Sequence, residues 1–296
     1  MPKFGLIGYP VAHSLSPKLF KAAYGGRFRY DLLENEDFGA AFSLFMRAYD
    51  AVNVTAPFKE LAYEKAKFRS AEAELSGAVN ILVKTPRSLS GFNSDCTAVK
   101  ALLEEEGSGV RKVLVVGCGG AGKAAVVAAF TLGLDVVLMN RSISKAISFA
   151  QSLVAASPQI NTSLPLRAPR CGTVSVLPLD RFSSAIGECD ALIYTVPSPI
   201  ENFPFISEAA PQSNDFYLKT IIEANYRAPS FTPEVLSRLP EQVKYVPGEQ
   251  WLLQQALTGY SLMTGIGPDP EALSSLCRRD LKRSRAACGH FVKLSD

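Results

Sequence analysis

The sequence predicts an α/β protein of two domains, on three observations. Short apolar runs of strand length alternate with helical patterns along the chain, the pattern of βαβ units with helices on the faces of a mostly parallel sheet. The polar stretch EEEGSGVRK (104–112) interrupts that alternation, which restarts with KVLVVG. A glycine-rich loop, GCGGAG (117–122), then falls between a strand and a helix. A chain of 296 residues is long enough for two cores. We assign 1–97 with 248–296 to the first domain and 98–247 to the second.

In order, FGLIG reads as a strand, 17–24 as a helix, RYDLL as a strand, 38–49 as a helix and DAVNVT as a strand. A helix follows over 58–67, then strands in GAVNILVK and SLSGF, then a helix over 97–106. The second domain opens with a strand at 112–116 and a helix at 123–132, with Gly133 placed for a left-handed C-terminal cap. Further strands are expected at 135–139, 173–177, 191–195 and 220–224, the last before VKYVPG. The segment 152–172, rich in Pro, Ser and Arg, reads as a surface insertion. The helix GEQWLLQQALTGYSLMTG (248–265) leads to Asp269 and Pro270, an N-cap and first-turn pair for a last helix.

Composition removes several function classes. The net charge of +3 comes mostly from Arg278, Arg279, Lys282, Arg283 and Arg285. Their spacing puts them on one solvated helix face, and no aromatic residues interleave them as a nucleic-acid surface would require. Six cysteines without CxxC spacing and only two histidines argue against a metal site and suit reduced thiols in a cytoplasmic protein. The longest apolar stretch (124–139) is broken by Thr131, Gly133 and Asp135 and is too short for a bilayer. The first strand begins almost at once, so no signal peptide is expected.

Gly117-Cys118-Gly119-Gly120-Ala121-Gly122 fits G-x-G-x-x-G between a strand and a helix, the context in which that motif binds a dinucleotide. The first glycine makes the turn, the second lets the backbone approach a pyrophosphate, and the third lets helix and strand pack. An acid at the end of the next strand would select NAD by bonding the ribose. Here the strand ends Asn140-Arg141-Ser142 with Lys145 beyond, which can clamp a 2′-phosphate and point to NADP.

In the first domain, Ser14-Leu15-Ser16-Pro17 opens a helix, with Ser16 read as its N-cap and Pro17 at N1. Ser14 has no such duty, and two hydroxyls beside a helix N-terminus make a neutral carboxylate cradle. Asn80 lies in the apolar GAVNILVK strand and needs a partner or a ligand. Asp95 follows GFNS at a helix start. Lys59, after NVTAPF, sits in a first helical turn, where the helix dipole disfavours a cation by about 0.3–1 kcal/mol.

These residues occur in an order that resembles the shikimate dehydrogenase family. The motifs are IGYPVAHSLSP (7–17), NVTAPFK (53–59), GAVN (77–80), GFNSD (91–95), GCGGAG, NRS (140–142), EANYRAPSFTPEVL (223–236) and PGEQWLLQQA (247–256), ahead of Gly265. The resemblance implies an N-terminal substrate-binding domain, a Rossmann-like doubly wound NADP-binding domain, and C-terminal helices that return to the first domain. It implies NADP(H)-linked interconversion of 3-dehydroshikimate and shikimate in the route to aromatic amino acids. Lys59 and Asp95 match the catalytic pair, and Ser14 and Ser16 the substrate-carboxylate ligands. Thr55, Asn80, Tyr226 and Gln255 match the hydroxyl and ring contacts. Gly117, Gly119, Gly120, Ala121, Gly122, Asn140, Arg141, Ser142 and Lys145 match the cofactor site. Hydride delivery builds negative charge on a ketone oxygen, and a fixed ammonium beside it stabilises that charge and supplies the proton. That is a reason to place Lys59 where the helix disfavours it.

The expected site is a cleft between the domains that closes on NADP(H), in a monomer or homodimer with no nucleic-acid or membrane partner. Ser94 stands where the family usually has Thr, Cys96 and Ala98 replace glycines, and Tyr194-Thr195-Val196 replaces Asn-Ala-Thr on the nicotinamide side. A dual quinate/shikimate dehydrogenase and a non-catalytic NADP-binding regulator remain the alternative readings.

Overall fold

The computed structural model describes residues 1–86, 88–163, 171–198 and 217–287, with the side chains of 108, of 157 to 163 and from 279 onward outside the description. Two compact units emerge. One comprises Met1–Ala98 with Leu253–Asp280, and the other is built on Val99–Leu252.

The first unit runs β1 (Lys3–Gly8), α1 (Ser16–Ala23), β2 (Arg29–Glu34), α2 (Phe38–Ala48), β3 (Ala51–Val54), α3 (Lys59–Lys65), β4 (Phe68–Arg69), α4 (Ala71–Ser76), β5 (Ile81–Thr85) and β6 (Ser88–Phe92). The helix α5 (Ser94–Glu105) begins in this unit. The sheet order is β2-β1-β3-β5-β6-β4. β1 pairs parallel with β2 and β3, and β6 with β4, while β5 runs antiparallel to both neighbours. Hence β1, β2, β3, β4 and β6 all end at one edge, and β5 starts there.

On one sheet face, Val52 and Val54 of β3 pack with Phe38 and Phe45 of α2 and with Phe58, the residue before α3. On the other, Phe20 of α1 stacks with Phe4, Tyr24, Tyr30 and Tyr260 at centroid distances of 4.6–5.2 Å. α2 starts where expected because Asp37 accepts from the Gly39 N–H at 2.8 Å.

Two corrections concern the stretch between β3 and β6. The single helix expected over 58–67 stops at Lys65, and the small β4 and α4 follow it. Ser70 caps α4 through the Ala73 N–H at 3.3 Å, and Gly77 ends it in the left-handed region at φ 59°. GAVN is therefore not strand. It is the turn from that cap into β5, and it places Asn80 at the sheet edge.

The second unit contains β7 (Lys112–Val116), α6 (Gly120–Thr131), β8 (Asp135–Met139), α7 (Ile143–Ser163), β9 (Val174–Leu177), α8 (Phe182–Gly187), β10 (Ala191–Tyr194), β11 (Thr220–Glu223), α9 (Pro233–Leu236) and β12 (Lys244–Val246). Its sheet, β12-β11-β10-β7-β8-β9, is parallel throughout. Counted from β7, that is the order 3-2-1-4-5-6 of the dinucleotide-binding doubly wound fold. Such strands are covered on both faces and read as continuous apolar runs, and Val113–Val116 are all fully buried. Ala124–Phe130 of α6 is buried on every side, which its alanines permit. Gly133 takes φ 81°, as its cap position requires.

α7 continues helical to Ser163, so the expected insertion at 152–172 is a helix through its first half; 164–170 lie outside the described residues. α10 (Gly248–Thr264) and α11 (Pro270–Ala287) complete the described residues. Asp269 caps α11 through Glu271 N and Ala272 N, both at 3.0 Å. The expected basic face begins with Arg278, which is exposed, and its other members fall among the undescribed side chains.

Candidate active site

The candidate side chains of the first unit gather where its strands end. Ser14 and Ser16 follow β1, Thr55 and Lys59 follow β3, Asp95 follows β6, and Asn80 precedes the reversed β5. The loops after β1 and β3 touch through Tyr9 N–H to the Ala56 carbonyl at 3.3 Å, and Thr55 N–H bonds the Ile7 carbonyl at 2.9 Å.

Lys59 is the first residue of α3 and Asp95 the second of α5. Lys59 Nζ donates to Asp95 Oδ2 at 2.6 Å, with 15% of the lysine side chain and 4% of the aspartate exposed. A cation at a helix start is thus matched by a nearly buried carboxylate.

Ser16 is not the N-cap that its sequence suggests. The helix already includes it, its cap residue is Leu15, and Leu15 makes no side-chain cap. Ser14 does the local work instead. Its hydroxyl accepts from Ser16 N–H at 3.2 Å and donates to Ser16 Oγ at 3.1 Å. Both hydroxyls are half-buried and adjacent at the start of α1, a neutral pair suited to a carboxylate. Tyr260 of α10 donates to the Ser16 carbonyl at 3.3 Å, and Tyr30 donates to Asn53 Oδ1 at 2.8 Å. Burial pushes both phenols above their ordinary range, so they stay protonated donors.

Asn80 meets a protein partner. Its Oδ1 accepts from Ser94 N–H at 2.8 Å, and its Nδ2 donates to Ser94 Oγ at 3.1 Å. Sequence reasoning missed Asn93, whose Oδ1 accepts from Asp95 N–H at 3.1 Å as the N-cap of α5. An asparagine just before a helix was the signal available. α10 comes close to this edge through Gly259, where a Cβ would stand 2.7 Å from Ile81 Cδ1 and 3.1 Å from Ser94 Oγ. Gln255 lies one turn earlier on the same helix face, half-buried.

In the second unit, Gly117 follows β7 at φ 109°, a conformation that side chains oppose. Gly119 is the N-cap of α6 and offers no side chain to the first-turn N–H groups. Nothing lies within 4 Å of the Cβ that Gly119 lacks, whereas a Cβ on Gly122 would meet the backbone of Gly117. Uncapped donors facing open space at a helix N-terminus fit a pyrophosphate. Asn140, after β8, accepts from Cys118 N–H at 3.2 Å and donates to the Ser142 carbonyl at 2.9 Å, which ties the glycine loop to the next strand end. Arg141, Ser142 and Lys145 are exposed there, two cations and a hydroxyl suited to a 2′-phosphate. The residues present therefore fit NADP(H).

Tyr194 does not face that site. It is fully buried, packs edge-on to Phe231 at 5.6 Å, and donates to the Ser198 carbonyl at 2.7 Å. Thr195 is the residue beside the glycines, its hydroxyl bonded to the Val116 carbonyl at 2.8 Å and 3.0 Å from where a Gly122 Cβ would sit. The tyrosine that departs from the family pattern is thus a core residue.

Tyr226 also belongs to this unit, half-buried in a tight turn after β11. Asn225 Oδ1 accepts from Arg227 N–H and Ala228 N–H at 3.2 and 3.3 Å. At the base of the turn, Glu223 is fully buried and accepts from Ser230 N–H at 2.6 Å and the Tyr245 hydroxyl at 2.7 Å. Burial pushes the Glu223 carboxyl up, and these bonds offset only part of the rise.

A model of the shikimate dehydrogenase substrate-binding domain matches residues 6–82. An NADP(+) shikimate dehydrogenase of Caldanaerobacter subterraneus is 31% identical over 279 residues, covering 88% of this chain and 91% of that one. That of Halothermothrix orenii is 30% identical over 282 residues, covering 90% and 91%. Among solved structures, a shikimate 5-dehydrogenase from Thermus thermophilus in complex with NADP(H) and shikimate superposes with a TM-score of 0.72. It is 26% identical and covers 94% of this chain and 99% of that one.

Proposed function

Because this chain belongs to the shikimate dehydrogenase family, we propose that it catalyses the reversible NADP-dependent reduction of 3-dehydroshikimate to shikimate, with Lys59 and Asp95 as its proton-transferring pair. The observation that carries the reading is the nearly buried Lys59–Asp95 contact at 2.6 Å, at an edge where hydroxyls and amides also converge. NADP(H), when bound, supplies or accepts the hydride. As the substrate ketone is reduced, the Lys59 ammonium stabilises the negative charge growing on its oxygen and donates a proton to it. In the reverse direction Lys59 takes that proton back, and Asp95 orients the amine.

Ser14 and Ser16 hold the substrate carboxylate by hydroxyl donation. Thr55, Asn80, Tyr226 and Gln255 supply its remaining polar contacts. The glycine loop cradles the cofactor pyrophosphate, and Asn140, Arg141, Ser142 and Lys145 hold the adenosine end. Residues 1–97 with 248–296 form the substrate-binding and catalytic domain and 98–247 the cofactor domain. The partners are small molecules, and the enzyme works in the cytoplasm as a monomer or homodimer. No helix among the described residues is long and apolar enough to cross a membrane.

The test is initial-rate absorbance at the NADPH band, with shikimate and quinate each tried with NADP and NAD. Rapid NADP reduction with shikimate is expected. Lys59→Ala should lower kcat by about 10²–10⁴-fold with little change in KM; near-normal kcat in that variant would remove Lys59 from its role. No turnover with any pair, despite NADP binding, would overturn the enzymatic reading.

A further inference from the structure

Lys59 and Asp95 stand 36 residues apart on different helices, yet their side chains meet. The segment 76–80 holds both ends of that contact. Val79 N–H donates to the Lys59 carbonyl at 2.9 Å. One residue earlier, the Ala78 carbonyl accepts from Asn93 Nδ2 at 3.0 Å, and the same amide nitrogen donates to Ser76 Oγ at 2.9 Å. With both amide protons committed, Asn93 turns its Oδ1 to the N–H of Asp95. Ser76 is itself anchored, donating to the Glu72 carbonyl at 2.7 Å. Ser76, Asn93 and Asp95 are all buried.

Helix capping alone needs only an oxygen acceptor, which serine supplies as well as asparagine. The two donor bonds of Asn93 go beyond capping. They fasten the first turn of α5 to the strap whose next residue fastens Lys59. Rotating this buried amide would unmake every one of its bonds in a place that water does not reach. Asn80, at the end of the strap, bonds Ser94 through its side chain, and among the described residues the Asp95 N–H is met by Asn93 instead.

We propose that Asn93 is a positioning residue for the Lys59–Asp95 pair, clasping Asp95 to the 76–80 strap that also holds Lys59. The proposal rests on the reading of that pair as the proton-transferring one. The test measures shikimate oxidation by the full-length enzyme in Asn93→Ser, Asn93→Asp, Asp95→Asn and Asp95→Asn/Asn93→Ser. Serine keeps a capping oxygen and aspartate keeps the acceptor, and neither makes both donor bonds. Both single variants at 93 should lose kcat on the order of tenfold, the scale of a small misplacement of reacting groups. KM for shikimate and NADP should change less than about twofold. In the Asp95→Asn background, Asn93→Ser should add no further loss, because its effect runs through Asp95. Wild-type kcat in either variant at 93 overturns the proposal, as does the same fractional loss with and without Asp95. Wild-type kcat in Asp95→Asn overturns the pair reading itself, an outcome distinguishable from the other two.

Discussion

Gly119 and Gly122 stand three residues apart at the start of α6, and adding a methyl group to each should have opposite consequences. On Gly122 the new Cβ would lie 2.6 Å from the Gly117 carbonyl carbon and 3.0 Å from Thr195 Oγ1. Carbon atoms pack at about 3.5–4.0 Å, so α6 must move about 1 Å away from β7 or the loop must rebuild. Overpacking of this kind costs about 1–3 kcal/mol, and backbone neighbours that cannot swing aside put it near the upper end. For a unit of this size that is roughly 6–12 °C of melting temperature. Gly119 has φ −85° and ψ −170°, open to any residue, and nothing within 4 Å. Gly119→Ala should therefore leave stability within about 0.5 kcal/mol of wild type. Its methyl would instead fill the space over the uncapped N-terminus of α6. Losing one charge-assisted bond there costs about 1.5–3 kcal/mol, on the order of 10- to 100-fold in Kd. Thermal melting of the free protein and fluorescence titration with NADPH read the two effects separately. A Gly119→Ala protein that binds NADPH like wild type would refute the phosphate cradle, and a Gly122→Ala protein that melts like wild type would refute the packing argument.

Arg141→Ala should raise the Kd for NADP by on the order of 10- to 100-fold, the worth of a charge-assisted phosphate contact, and leave that for NAD unchanged; parallel titrations check it, and equal weakening of both would exclude a 2′-phosphate role. Glu223 titrates above its ordinary range in the folded chain because it is buried. Its contribution to stability is therefore fully present below the unfolded value of about 4.3 and is lost as pH rises through the raised folded value. The melting temperature of wild type relative to Glu223→Gln should accordingly fall as pH is raised from mildly acid to neutral. A gap that widens instead would reverse the sign of the shift.

Much of the second unit is legible because its signals are local. β7, β8 and β11 are apolar runs, which a parallel sheet buried on both faces demands. The glycine loop declares itself by residue type, since only glycine permits φ 109° at Gly117 and the close approach at Gly122. Asp269 before Pro270 marks a helix start for reasons confined to one turn. The two-residue β4 and six-residue α4 escape notice because they are too short to show a period, although Ser70 and Gly77 bracket α4 as a cap pair.

By itself the sequence determined the α/β class and the strand-loop-helix for a dinucleotide, because each is written within a few residues of chain, and the order of its motifs along the chain marked Lys59 and Asp95 as a candidate pair. Tertiary structure alone decided that β5 runs against its neighbours, which brings Asn80 to the same edge as Ser14, Lys59 and Asp95. It also decided that Ser14 rather than Ser16 holds the start of α1, that Tyr194 turns into the core, and that Asn93 ties Asp95 to the strap holding Lys59. These depend on which groups burial leaves in need of a hydrogen-bond partner, and those partners lie on segments that the linear order does not bring together.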